Sequence, residues 1–170
     1  MSERLDPRVQ SVVDKQEIRD ALMRYCRGID RRDPDLIVSA FHEDAVDDHG
    51  DMKGSPAQLA GFVAKGTQPQ LMHFVGNHLA EVDGDKAFSE SYFISFMTVT
   101  ADGKDYTRTR AGRYLDNWER RKGAWKIAHR VVVDEWSRLD EVVATVDGIG
   151  FYRGARSKDD LLYKLQATVG

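Results

Sequence analysis

The stretch that most limits how this chain can fold begins at Leu71, where apolar and polar residues start to alternate and continue to do so as far as Trp136. Three short interruptions, Asp83-Gly84-Asp85, Ala101-Asp102-Gly103 and Arg121-Lys122-Gly123, carry turn chemistry. The pattern predicts four strands, roughly 71–82, 86–100, 105–120 and 123–136, joined as an antiparallel meander. Typical strands run to about five or six residues, so strands this long imply a strongly curved and bulged sheet.

Ahead of the sheet the period is helical. Ile18, Leu22, Tyr25 and Ile29 mark one buried stripe, and Asp14 followed by Glu17 supplies a start signal resembling a capping box. A second helix is expected over Asp33 to Phe41 with Pro34 in its first turn, then a short extended arm over Ala45 to His49 and a turn over Gly50 to Gly54. Ser55-Pro56 opens a third helix carrying Leu59, Phe62 and Val63. Helices first and a curved antiparallel sheet second predict an α+β cone, the sheet wrapped around the N-terminal helices with a pocket on its concave side. Residues 1–136 are expected to form that one domain, with its core over 10–136. Residues 137–170 read as a C-terminal extension that closes the pocket or joins subunits. In it Leu139, Val142, Val143 and Val146 are packing candidates, Gly148-Ile149-Gly150 a break, and Ser157 to Gln166 a capped helix.

A chain of 170 residues with 41% hydrophobic content can bury one sizeable core. A net charge of −3 and interleaved basic and acidic residues give no field for nucleic acid. The polar stretch Met1 to Gln10 does not read as a secretory signal, and no run approaches the ~20 apolar residues of a membrane helix. Cys26, the single cysteine, can form no intrachain disulfide. A soluble cytoplasmic protein with no membrane contact is expected.

Asp30 is the odd residue of the first helix. A carboxylate there lies at the negative end of the helix dipole and beside an apolar stripe, which suits a proton-transfer group; equally, Arg31, Arg32 and Asp33 could make it the start of a solvated turn. Gly28 makes the last turn easy to unwind, and Tyr25, about 140 degrees from Asp30 around an unbroken helix, needs such unwinding to converge with it. His73 shares a strand face with Leu71 and Val75, either as a core histidine bonded to a carbonyl or as a base oriented by Asp30. Phe93 and Met97 flank Ser95 as pocket wall. Tyr106, Arg108, Arg110, Gly112 and Tyr114 share one face of the third strand, which makes Arg110 and Tyr114 polar contacts if that face lines the cone. Arg130 falls on the alternation opposite Trp125 and Ile127, so it faces water unless a bulge intervenes. Consecutive side chains of Asp47-Asp48-His49 point to opposite sides and chelate metal poorly, leaving Asp47 or His49 as rim contacts. No phosphate-binding glycine loop, nucleophile elbow or dinucleotide fingerprint is present.

Tyr25 to Asp30, Ala45 to Gly54, His73 to Asn77 and Trp118-Glu119-Arg120-Arg121-Lys122-Gly123-Ala124-Trp125-Lys126-Ile127 together resemble a SnoaL-like member of the nuclear transport factor 2-like superfamily, over residues 10 to 136. Within it the chain is similar to small cofactor-free lyases: scytalone dehydratase, γ-hexachlorocyclohexane dehydrochlorinase and bile acid 7α-dehydratase. The resemblance implies Asp30 and His73 as a catalytic dyad and Tyr25 and Arg130 as substrate contacts. Ser95 stands where other members carry a strand aspartate or histidine. It further implies a cofactor-independent elimination, a dehydration, dehydrohalogenation or carbon–carbon cleavage, on a small hydrophobic, aromatic or alicyclic substrate, in a homo-oligomer of two or three copies. The alternatives it leaves open are a ketosteroid-type isomerase, a non-catalytic small subunit of an aromatic-ring-hydroxylating dioxygenase, and a ligand-binding module.

Overall fold

The computed structural model describes residues 6–143 and 150–169. Helix α1 (Pro7–Arg31) is followed by α2 (Pro34–Ser39), strand β1 (Phe41–Asp48), the two-residue β2 (Lys53–Gly54) and α3 (Pro56–Lys65). The meander then runs through β3 (Leu71–Asp83), β4 (Lys86–Ala101), β5 (Lys104–Arg121) and β6 (Ala124–Glu141), and α4 (Leu161–Gln166) comes last. The sheet order is β2-β1-β6-β5-β4-β3, antiparallel throughout except that β1 runs parallel to β6. This is the expected α+β cone, with α1 lying in the concavity through Ile18, Ala21, Leu22, Tyr25 and Ile29. Trp118, Trp125 and Ile127 meet that stripe from the sheet side.

Several local expectations need correction. Helix α1 begins two turns before Asp14: Asp6 is its N-cap, accepting from the Arg8 amide at 2.8 Å, and Pro7 starts the helix. Asp14 is instead a buried helix residue whose carboxylate accepts from Arg120 Nη1 at 2.6 Å and Trp125 Nε1 at 3.0 Å, tying α1 to the far end of the sheet. The last turn of α1 does not unwind at Gly28. A Cβ there would sit 2.8 Å from the Ile37 amide nitrogen, so the glycine serves the close crossing of α1 and α2. Helix α2 stops at Ser39 and Phe41 opens β1, where its ring packs against Tyr25. Strand β6 runs on to Glu141, five residues past the expected edge of the cone, leaving Leu139 and Val143 exposed. The last helix starts at Leu161 on the Asp160 cap. Val146, Gly148 and Ile149 lie outside the described residues.

Bulges supply the curvature. An extra residue enters β3 between Val75 and His78, one enters β6 opposite the Asn117–Trp118 step, and another opposite Ala111–Gly112. The one opposite Asn117–Trp118 sits at Ala128, because Ile127 pairs with Trp118 and His129 with Asn117. It flips the alternation of β6, so that Arg130 joins Trp125 and Ile127 on the inner face.

Gly28→Ala should destabilise the fold by about 1–3 kcal/mol through overpacking, against the roughly 1 kcal/mol gain that alanine brings to an unhindered helix. Urea unfolding measures this; a stabilised variant would mean that the α1–α2 crossing is loose.

Candidate active site

The inner face of the meander is organised in cross-strand rows. His73 pairs with Ser95 and Ser95 with Arg110. One row toward the open end, Leu71, Met97 and Arg108 follow in the same register; one row inward, Val75, Phe93 and Gly112. Deeper still is Tyr114, its ring stacked on Phe93 at 4.4 Å between centroids. These rows, the Tyr25 and Ile29 side of α1, and Leu59, Phe62 and Val63 of α3 enclose a cavity of about 280 Å³. Arg156, from the segment after β6, completes its wall.

Asp30 is the penultimate residue of α1, beside the start of β3. Its Oδ2 accepts the His73 backbone N–H at 3.0 Å, and its Oδ1 lies 2.7 Å from His73 Nδ1. Two hydrogen bonds to one residue lock both the carboxylate and the ring. A carboxylate can only accept, so Nδ1 carries the proton and the lone pair lies on Nε2. The His73 ring lines the cavity whereas Asp30, 8% exposed, lies behind it.

Tyr25 lines the cavity although α1 is unbroken. Residues 140 degrees apart on the helix can serve one site here because the sheet wraps α1 and His73 carries the influence of Asp30 around to the cavity. Burial raises the pKa values of both Tyr25 and Tyr114, so each is a protonated hydroxyl, able to donate. Burial likewise pushes the Cys26 thiol up to about 12, which makes it an inert packing residue.

Phe93, Ser95, Met97, Arg110 and Tyr114 all line the cavity. Arg110 extends over the Phe93 ring and donates through Nε to Asp134. Arg130 does not line it. Its guanidinium lies beneath the floor, 4.2 Å from the centroids of Tyr25 and Tyr114, and donates through Nε and Nη2 to the two Asp116 oxygens at 2.6 and 2.7 Å. Arg130 and Asp116 are both wholly buried. Burial raises the pKa of Asp116 and the guanidinium opposes that rise. Asp47, the β1 neighbour of Arg130, is buried as well and faces a smaller adjoining cleft, not the cavity. His49 Nε2 approaches Asp47 Oδ2 at 2.8 Å, at an angle short of a hydrogen bond, and it is His49 that reaches the cavity wall. Among the described residues no three His, Cys, Asp or Glu side chains converge as metal ligands would.

Two residues of this neighbourhood escape sequence reasoning. Asp116 was legible in principle, since it shares the alternation of Tyr114 and Trp118 and an acid between two inward aromatics demands a buried partner. Arg156 gave no signal. It reaches back across the molecule, donating to the carbonyls of Ile29 at 2.8 Å, Asp30 at 3.1 Å and Gln68 at 3.0 Å. It thereby satisfies two of the carbonyls that the end of α1 leaves open. Burial, then the charge of nearby Arg32, pushes its pKa down to about 10.

A cone of this kind, with a carboxylate-bonded histidine on its wall, defines a small α+β protein with a cavity between sheet and helices. The chain belongs to the SnoaL-like domain family, whose profile matches residues 10–131. An uncharacterized protein of Mycobacterium tuberculosis is 28% identical over 128 residues, covering 72% of this chain and 86% of that protein. Among solved structures, the hexachlorocyclohexane dehydrochlorinase of Novosphingobium barchaimii superposes with a TM-score of 0.72 at 18% identity, over 82% of this chain and 99% of that one. A nuclear transport factor 2-like superfamily protein of Salmonella enterica gives 0.65 at 20% identity, over 84% and 99%. The fold is therefore the nuclear transport factor 2-like cone.

Asp116→Ala would leave the Arg130 charge buried without a partner, at a cost of about 3–5 kcal/mol. Replacing both residues, Arg130→Met with Asp116→Leu, should recover most of that loss. Urea unfolding of the three proteins is the check, and a single variant as stable as the double would show that water reaches the pair.

Proposed function

We propose that this chain is a cofactor-independent lyase in which His73, oriented by Asp30, removes a proton from carbon and a leaving group departs from the adjacent carbon. The observation that carries the proposal is the two-point hold of Asp30 on His73, whose ring lines a cavity with both apolar and polar walls. As the C–H bond breaks, its electron pair becomes the new double bond and the leaving group takes the electrons of its own bond. The proton passes to Nε2, and the imidazolium so formed is stabilised by the carboxylate at Nδ1. Where the leaving group is hydroxide, the same imidazolium can return the proton to it as water departs. Ser95 and Arg110, level with His73, and the hydroxyls of Tyr25 and Tyr114, deeper in, are donors for an oxygen on the substrate that gains charge in the transition state. Water and halide are the leaving groups favoured by this arrangement, and the likeness in fold to a dehydrochlorinase supports that class.

Arg130 enters this scheme through the tyrosines. Its charge lies under both rings, where it holds their positions and polarises their faces; Nε and Nη2 donate to Asp116, while Nη1 is buried without a hydrogen-bond partner among the described residues. An isomerase would use the same dyad and return the proton to another carbon, so the identity of the product separates the two reactions.

The outer face of the sheet exposes Met72, Phe74, Leu79 and Trp136, a set of large apolar side chains that supports assembly of two or three copies through that face. Sedimentation velocity should show a dimer or trimer; a monomer at micromolar concentration would rule the assembly out. No helix among the described residues is long and apolar enough to cross a membrane.

Turnover of a panel of β-hydroxy carbonyl and β-halo alicyclic compounds tests the reaction. Asp30→Asn and His73→Ala should each lower kcat by about 10²–10⁴ with the fold intact by circular dichroism. Undiminished turnover in both variants would remove the dyad from the chemistry.

A further inference from the structure

The cavity's charge is one-sided. Arg108, Arg110 and Arg156 line it, and among the described residues no aspartate or glutamate does. Six of the seven arginines on β5 and β6 have a carboxylate partner: Arg110 with Asp134, Arg113 with Glu90 and Glu135, Arg120 with Asp14 and Asp85, Arg121 with Asp44 and Glu119, Arg130 with Asp116, and Arg138 with Asp140. Arg108 is the exception, with no ion pair or hydrogen bond among the described residues. It is exposed at the open end of the cavity, in the row with Leu71 and Met97, one step outward from His73, Ser95 and Arg110. In a chain with more acidic than basic residues, an arginine left unanswered beside an apolar wall is free to meet an anion brought from outside.

The opposite side of the mouth is also cationic. Arg156 bonds only to backbone carbonyls, and it is shared with a second cavity of about 400 Å³ that adjoins the first through Leu71 and Met97 and is also lined by Arg31. Burial, and then the charge of nearby Arg32, pushes the Arg156 pKa down. Between the rim and the tyrosine floor, Ile29, Leu71, Phe93, Met97 and Val132 supply apolar wall around the polar row of His73, Ser95 and Arg110.

We infer that the ligand of this cavity is a hydrophobic organic acid, its ring seated against Phe93 and Met97 and its carboxylate at the mouth against Arg108, with the field of Arg156 beside it. This rests on the reading of the cavity as the substrate site, and it narrows the substrate class to carboxylates whose reacting carbon lies one row deeper than the acid group. A planar guanidinium matches a carboxylate with two parallel N–H donors, which a neutral amide of the same shape cannot reciprocate.

Calorimetric titration of the purified protein with 2-naphthoate and with its neutral counterpart 2-naphthamide tests this without requiring turnover. At low salt the wild type should bind the acid about tenfold more tightly than the amide, in line with one charge-assisted hydrogen-bonding pair, and added salt should shrink that preference. Arg108→Gln should abolish the preference and leave the amide unaffected, while Arg108→Lys should keep part of it. Equal affinity for the two probes, failure to bind the acid, or a preference that survives Arg108→Gln overturns the inference. So does loss of both probes together in the Arg108 variants. Acid-selective binding beside undiminished turnover in His73→Ala would sink the dyad and leave this inference standing; indifference to charge beside turnover lost in that variant would do the reverse.

Discussion

Taking a guanidinium wholly out of water is affordable only if its charge is answered in place, and the Arg130–Asp116 pair is the interaction on which the remaining inner-face geometry depends. The two residues belong to neighbouring strands, yet the guanidinium also lies against Tyr25 of α1, Phe41 of β1 and Tyr114 of β5. One charge therefore fixes the mutual positions of the first helix, the first strand and the middle of the meander. A buried ion pair of this kind is weak evidence of stability, since an apolar replacement of the same volume could serve as well. Its stronger effect is on register. The pair forms only if β6 carries its extra residue at Ala128, and a strand without that bulge would turn Arg130 out to water and face Asp116 with nothing.

The same bulges explain how a continuous sheet brings the His73 ring to the cavity wall. On an unbulged β3 the inward set would stay on one parity, and His78 and Ala80 would not share a face with His73 and Val75. The slip at Gly76-Asn77 lets the outer half of the strand bend over the end of α1 while the inner half stays on the core. That bend brings the His73 amide and ring together onto a single helix carboxylate. The geometry is local at both ends, one residue from a helix terminus and three residues into a strand, so few intervening contacts have to be right for it to hold.

Most of this architecture was legible in the sequence because period-two alternation, turn chemistry and capping residues are local signals. The three hairpins, the Ser55 cap and the grouping of Tyr106, Arg108, Arg110, Gly112 and Tyr114 on one strand face follow from spacing alone. The meeting of Asp30 and His73 does not; it rests on a likeness to a family whose members place an acid and a histidine at those two points. Arg130 shows where spacing fails, because one extra residue inverts every later position on its strand and no local feature of Trp125 to Arg130 announces it. Gly28 shows a different failure. A glycine near a helix end reads as a place to unwind, and only the approach of Ile37 reveals that the missing side chain is needed for contact across a gap.

Arg156 lies furthest from anything spacing could reveal, and it joins two properties that the sequence keeps far apart. Its three donors hold the carbonyls of Ile29, Asp30 and Gln68, so the terminus of α1 and the segment leading into β3 are bound to one guanidinium. Lys158 and the Tyr163 hydroxyl reach Asp33, and Arg31 donates to the Ala155 carbonyl at 3.1 Å, so the attachment is distributed along the segment. The backbone that carries Asp30 is thereby restrained from the side opposite His73. A carboxylate held from in front by an amide and an imidazole, and from behind through its own carbonyl, has little freedom to leave the ring it orients. The residue that supplies this restraint also lines the cavity with Arg108 and Arg110, so the seating of Asp30 and the positive charge of the mouth depend on a single side chain.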